Sequence, residues 1–176
     1  MILLAFKYCN DKVGYHLDEV YTYALSNSEN APWIIDIKDG DIVNKVITRH
    51  EIWDFVTVDE SDRFDYASVY YNQTKDVHPP LYYFIIHTIS SIFTYSFSDW
   101  IGLGLNLALF IATLLLLYHL ISRFFCNQRN AILVTIIYGL SNIGLSTMMF
   151  IRMYMLLTFL TLLLAYLILL HMENDK

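Results

Sequence analysis

Residues 100–122 read WIGLGLNLALFIATLLLLYHLIS, and this stretch decides the fold class. It carries no charged side chain and is long enough, at about 1.5 Å per residue, to cross roughly 30 Å of hydrocarbon as a helix. Residues 131–149 and 153–172 read the same way. From Trp100 to Met172 there is no acid, and the bases are Arg123, Arg129 and Arg152. A soluble domain rarely leaves so long a stretch so poor in charge, so the second half reads as a membrane unit.

Upstream the composition inverts. Residues 1–80 hold 14 of the 17 acids and 7 of the 11 bases, as expected of an aqueous segment. The formal net charge of −6 offers no basic patch for nucleic acid. Cys9 and Cys126 lie far apart without CxxC or Cys/His spacing, so neither a disulfide framework nor a zinc site is expected, and no cofactor is implied. Met1 to Phe6 is apolar but too short for a signal h-region of about 7–15 residues. It reads as the tail of a truncated transmembrane helix (1–8). The chain also stops just after an apolar helix, and both edges fit a fragment. The expected organisation is that tail, an extracytoplasmic loop (9–80), an interfacial helix (81–98) and a transmembrane region (99–176).

Within the loop, Leu17, Val20, Tyr21, Ala24 and Leu25 fall on one face of a helix over 17–28. Asp18 and Glu19 stand in its first turn, where carboxylates suit the positive end of the dipole, and Pro32 ends the pattern. Trp33-Ile34-Ile35-Asp36-Ile37 and Ile42 to Ile47 flank Lys38-Asp39-Gly40-Asp41, whose Asp-Gly step reads as a hairpin turn. A second helix is expected over 61–73 with Ser61 as N-cap. Asn72-Gln73-Thr74 matches the glycosylation sequon, a pattern so short that chance accounts for most matches. The acids Glu29, Asp36, Asp39, Asp41, Asp59, Glu60, Asp62 and Asp65 fit no EF-hand spacing and read as a solvated acidic face.

Residues 81–95 are apolar, but fifteen residues rise about 22 Å, short of a full crossing. His87, Ser90, Ser91 and Thr94 form a polar stripe, which favours a helix lying in the interface. Charge bias agrees. With 81–95 flat, the Arg123/Arg129 loop and Lys176 face the cytoplasm, and Arg152 returns to the side of Asp18 and His78.

Three groups have chemistry to offer. Asp18-Glu19 supplies a carboxylate base for an acceptor hydroxyl or amine; the competing reading is a helix cap. In His78-Pro79-Pro80 the prolines fix φ and hold the preceding residue extended. His78 is thereby placed to bind a phosphate or orient a carboxylate, the alternative being a solvated loop histidine. Arg152, between two apolar spans, is a functional candidate by its depth, suited to a phosphate by its planar fork, or else an interfacial arginine snorkelling to headgroups. Tyr82 and Tyr154 stand beside these as substrate-binding candidates, although such tyrosines commonly form an interfacial belt.

The order Asp18-Glu19, then His78-Pro79-Pro80-Leu81-Tyr82-Tyr83 opening an apolar helix, then Arg152-Met153-Tyr154 opening another, resembles the family 39-like membrane glycosyltransferases of the GT-C superfamily. Their relatives include the protein O-mannosyltransferases and the aminoarabinose transferase of lipid A. The run from Asn72 through Asp76-Val77-His78 to Tyr83 is similar to one common in bacterial members. The resemblance implies a mainly α, polytopic membrane protein, a GT-C-like N-terminal module whose extracytoplasmic first loop carries interfacial helices. It implies Asp18 as catalytic base with Glu19 beside it, and His78 and Arg152 near the donor phosphate. The partners it implies are a polyprenyl-phosphate sugar donor, membrane lipid and an envelope glycan, lipid or protein acceptor, at the plasma (inner) membrane. Family members are several times longer than this chain.

Two other functions stay open on the sequence. One is a non-catalytic, truncated membrane protein that binds a lipid phosphate or an envelope enzyme through the same residues. The other is a transporter fragment, for which no pair of broken helices in corresponding halves is visible.

Overall fold

All regular structure among the described residues of the computed structural model (1–34, 46–125 and 127–175) is helical. In chain order the helices are α1 (Ile2–Asp11), α2 (Leu17–Asn27), α3 (Arg49–Val56), α4 (Tyr66–Gln73), α5 (Leu81–Ile92), α6 (Asp99–Phe124), α7 (Gln128–Leu140), α8 (Asn142–Met149) and α9 (Tyr154–Asn174). They divide into two units: Gly14–Ile101, the loop unit, and Met1–Val13 with the chain from Gly102 onward, the apolar unit.

The loop unit is built around α2, which packs against α3, α4 and α5. Its helix forms where the apolar spacing expects it, but the buried side is shifted: Leu17 is exposed and Val20 and Tyr21 are half-buried, while Thr22, Tyr23, Ala24 and Leu25 are buried, Leu25 contributing about 1.5–3 kcal/mol. α3 falls in a stretch whose pattern is mixed. Its signal is a capping box: Thr48 Oγ1 accepts the Glu51 N–H at 3.2 Å and Glu51 Oε2 accepts the Thr48 N–H at 2.7 Å. α4 starts later than expected. Asp59 Oδ1 captures the N–H groups of Ser61 at 2.7 Å and Asp62 at 3.0 Å in a turn, so Ser61 is not its cap. Phe64 then takes a left-handed φ of 59°, and Asp65 caps the helix through the N–H groups of Ala67 and Ser68. The hairpin expected around Lys38-Asp39-Gly40-Asp41 lies outside the described residues.

α5 is one turn shorter than its apolar pattern; its twelve residues rise about 18 Å. Its polarity is inverted. The face turned into the unit carries His87, Ser90 and Ser91 with Tyr82, Tyr83 and Ile86. The outer positions are Leu81, Phe84, Ile85, Thr88, Ile89 and Ile92, exposed or half-buried. The polar stripe is therefore the packing face. Ser90 Oγ accepts from Asn27 at 3.2 Å, Ser91 Oγ from the Phe64 N–H at 3.0 Å, and the Ser91 carbonyl from Arg63 Nε at 2.9 Å.

In the apolar unit, α6 and α9 are each long and apolar enough to cross a membrane. The third expected span, 131–149, is not one straight helix. It breaks into α7 and α8, bent by 54°, a broken span or a re-entrant loop. Ser141 is the break: its backbone is extended (ψ 148°), and its Oγ both donates to the Tyr138 carbonyl at 2.7 Å and accepts the Gly144 N–H at 3.0 Å. With Gly139 and Gly144 nearby, helix propensity is also low there. Beyond α8, Asn106 of α6 donates to the Phe150 carbonyl at 2.8 Å, and Gly102 gives Ile151 room to approach α6 closely.

Candidate functional site

The first turn of α2 is held by reciprocal bonds. His16 is the N-cap; its Nδ1 accepts the Asp18 N–H at 3.2 Å, and Glu19 Oε2 accepts the His16 N–H at 2.8 Å. The Glu19 side chain is buried. Asp18, by contrast, is not the cap. Its side chain is 47% exposed, with Oδ2 3.7 Å from His16 Nδ1. The two adjacent carboxylates thus differ: Glu19 closes the helix and Asp18 faces outward beside a histidine.

Tyr15 stands just before this turn, stacked on Phe97 with ring centroids 4.7 Å apart and edge-on to Tyr23. Burial, with the charges of Asp99 and Glu19 nearby, holds its phenol well above the usual range, so it is a neutral hydroxyl. Tyr15 and Asp99 were not singled out by pattern, and no motif marks them.

The second cluster precedes α5. His78 Nδ1 lies 2.8 Å from Asp76 Oδ2, with the two side chains 20% and 13% exposed. The Tyr83 hydroxyl donates to the same oxygen at 3.4 Å, and Asp76 Oδ1 accepts the Val77 N–H at 2.8 Å. His78 thus stands against a carboxylate, two residues upstream in the chain. Tyr82 is fully buried, edge-on to Tyr83.

The helix directions bring these clusters to one end of the unit. Ser68 bonds to Ser28 and Asn30, while Asn72, one turn on, bonds to Ser28 and reaches back to the Leu25 carbonyl, so α4 runs opposite to α2. Tyr66 meets Thr88 while Asp76 meets Tyr83, so α5 runs opposite to α4. α2 and α5 therefore run in the same sense, in register where Asn27 meets Ser90. Their first turns, with Asp18-Glu19 on one and His78 leading into the other, lie at the same end.

At the other end of α2, Glu29, Glu51, Asp54, Asp59 and Asp62 line a hollow of about 390 Å³ beside Trp33. Burial and the Asp59 and Asp65 charges push the Asp62 carboxyl up. Among the described residues, no group of three or more His, Cys, Asp or Glu side chains is placed to hold a metal ion.

Arg152 and Tyr154 belong to the apolar unit. Arg152 is buried in the link between α8 and α9, its N–H donating to the Phe150 carbonyl at 2.7 Å. Tyr154 opens α9, partly exposed, with its ring parallel to Phe150 at a centroid distance of 6.0 Å. Comparison of the chain with protein-family models, curated proteins and solved structures finds no match.

Proposed function

We propose that this chain belongs to a membrane glycosyltransferase of the family 39-like, GT-C type. It transfers a hexose-type sugar from a polyprenyl-phosphate donor to a cell-envelope acceptor, with inversion. The observation that carries this reading is the common sense of α2 and α5. Two motifs about sixty residues apart in sequence, Asp18-Glu19 and His78-Pro79-Pro80, lie toward the same end of the loop unit.

In this reading Asp18 takes the proton of the acceptor as its oxygen or nitrogen attacks the anomeric carbon. The exposed carboxylate suits that role, and the buried Glu19 keeps the turn rigid. His78 offsets the charge that builds on the departing phosphate, which in a partly dry site is a large part of the barrier. α5 lies in the membrane interface at the outer face of the plasma membrane, its oily outer side toward lipid. Residues 9–80 are extracytoplasmic.

The test is transfer from a synthetic polyprenyl-phosphate hexose by the protein purified from its own membranes. Turnover that disappears in Asp18→Asn supports the assignment. Wild-type turnover in Asp18→Asn removes Asp18 as the base, and binding of the donor without turnover in the native protein removes the enzyme.

A further inference from the structure

We propose that Asp76 is a positioning residue. Its carboxylate fixes His78 so that Nε2 is the ring nitrogen that meets a phosphate oxygen of the ligand. This rests on the glycosyl-transfer reading and adds to it a residue that the Asp18, Glu19 and His78 set does not contain.

An ionised carboxylate only accepts hydrogen bonds. The 2.8 Å contact from His78 Nδ1 to Asp76 Oδ2 therefore places the proton on Nδ1. The neutral ring then has its lone pair at Nε2, and the protonated ring has an N–H donor there. Asp76 is itself held on both oxygens, Oδ1 by the Val77 N–H at 2.8 Å and Oδ2 by the Tyr83 hydroxyl at 3.4 Å. The carboxylate is mostly buried, so its orientation does not relax into water. Pro79 and Pro80 stiffen the chain on the far side of the histidine. A histidine restrained on one nitrogen by a restrained carboxylate presents the other nitrogen in a fixed direction, the arrangement that orients imidazoles in catalytic and metal sites. When protonated, the ring carries a charge that Asp76 offsets, and Nε2–H can donate to an oxyanion in a charge-assisted bond.

The ligand chemistry is a phosphate oxyanion, and its source can be an isoprenoid carrier, a phospholipid headgroup or free phosphate. The test uses the full chain with ¹⁵N-labelled histidine in phosphatidylcholine nanodiscs, the His78 signals being those lost in His78→Gln. The probes are farnesyl phosphate, phosphatidic acid and inorganic phosphate. The wild type is expected to show the proton on Nδ1 and a shift of Nε2 on adding farnesyl phosphate. In Asp76→Asn, whose amide can donate to Nδ1, the proton moves to Nε2 in the neutral ring, which then gives the oxyanion a neutral N–H in place of the charge-assisted bond of an imidazolium, and affinity falls about tenfold. Asp76→Glu restores part of both.

A wild-type His78 protonated at Nε2 alone, or an Asp76→Asn protein with unchanged tautomer and affinity, overturns the proposal. The wild-type tautomer decides the matter even if Asp76→Asn fails to fold. Equal responses to all three probes keep Asp76 and His78 as a phosphate contact but count against an isoprenoid carrier, and so against the proposed function alone.

Discussion

Glu19 and His16 close the start of α2 on each other: the buried carboxylate accepts the His16 N–H at 2.8 Å while the His16 ring accepts from the next turn at 3.2 Å. Adjacent Asp18 takes no part in that cap through its carboxylate, and substitutions should separate the two. Glu19→Ala should lower stability by about 1 kcal/mol, the usual cost of losing a cap. Asp18→Asn should reduce sugar transfer by roughly 10²–10⁴-fold, the typical contribution of a general base. Thermal unfolding and turnover measured on the same two samples check both halves.

His87 predicts acid sensitivity of the loop unit. Its ring is buried edge-on to Tyr66, and although the Ser26 backbone faces it, neither nitrogen reaches hydrogen-bonding geometry with any described group. Burial lowers its pKa, opposed by Asp65 and Asp62. A histidine kept neutral in the folded state costs nothing above its unfolded pKa of about 6.5, and stability is lost as pH falls from there toward the lower folded value. Melting temperature should therefore drop on acidification below about 6.5 in the wild type and drop less in His87→Gln. Asp62, whose carboxyl is pushed up, acts in the opposite sense and is common to both proteins.

Asn72 is the acceptor position of the sequon, but its side chain is fully buried. Its amide donates to the Ser28 carbonyl at 2.8 Å and to Ser28 Oγ at 3.2 Å. The folded protein should resist oligosaccharide transfer at this site, seen as an unchanged intact mass after exposure to a purified oligosaccharyltransferase and its donor. Asn72→Asp replaces the donor by a carboxylate against a carbonyl and should cost about 3 kcal/mol.

Gly102 is required by packing. A Cβ there would run into the Ile151 side chain, so Gly102→Ala should destabilise the apolar unit by about 1–3 kcal/mol through overpacking. In Ile151→Ala the same change should cost almost nothing more, because the space has been cleared. Unfolding of the two single variants and the double variant measures the coupling.

The sequence made α2, α6 and α9 legible because each follows one strong rule: an apolar face every three to four residues for α2, sustained charge-free length for the other two. α3 escaped because it is only eight residues long, too short for a helical period to stand out, and its clearest mark is the Thr48–Glu51 box, a local bond pattern that periodicity does not weigh. The break at Ser141 escaped because hydropathy is blind to one side chain capping in two directions. At the candidate site, the motifs located Asp18, Glu19 and His78. The partner of His78, Asp76, stands only two residues away, but no motif singled it out, and its link to Tyr83 depended on how the chain turns into α5.

The inverted polarity of α5 bears on how this chain tolerates inherited change. On an ordinary surface helix, drift is free on the hydrophilic side and constrained on the oily one. Here the hydrophilic positions His87, Ser90 and Ser91 are locked against neighbours, while Leu81, Ile85, Ile89 and Ile92 need only remain oily. Variants of this segment should therefore exchange Leu, Ile, Val and Phe freely on one side and keep their small polar residues fixed on the other. A profile that scores conservation by hydrophobicity would mark the wrong side as the core.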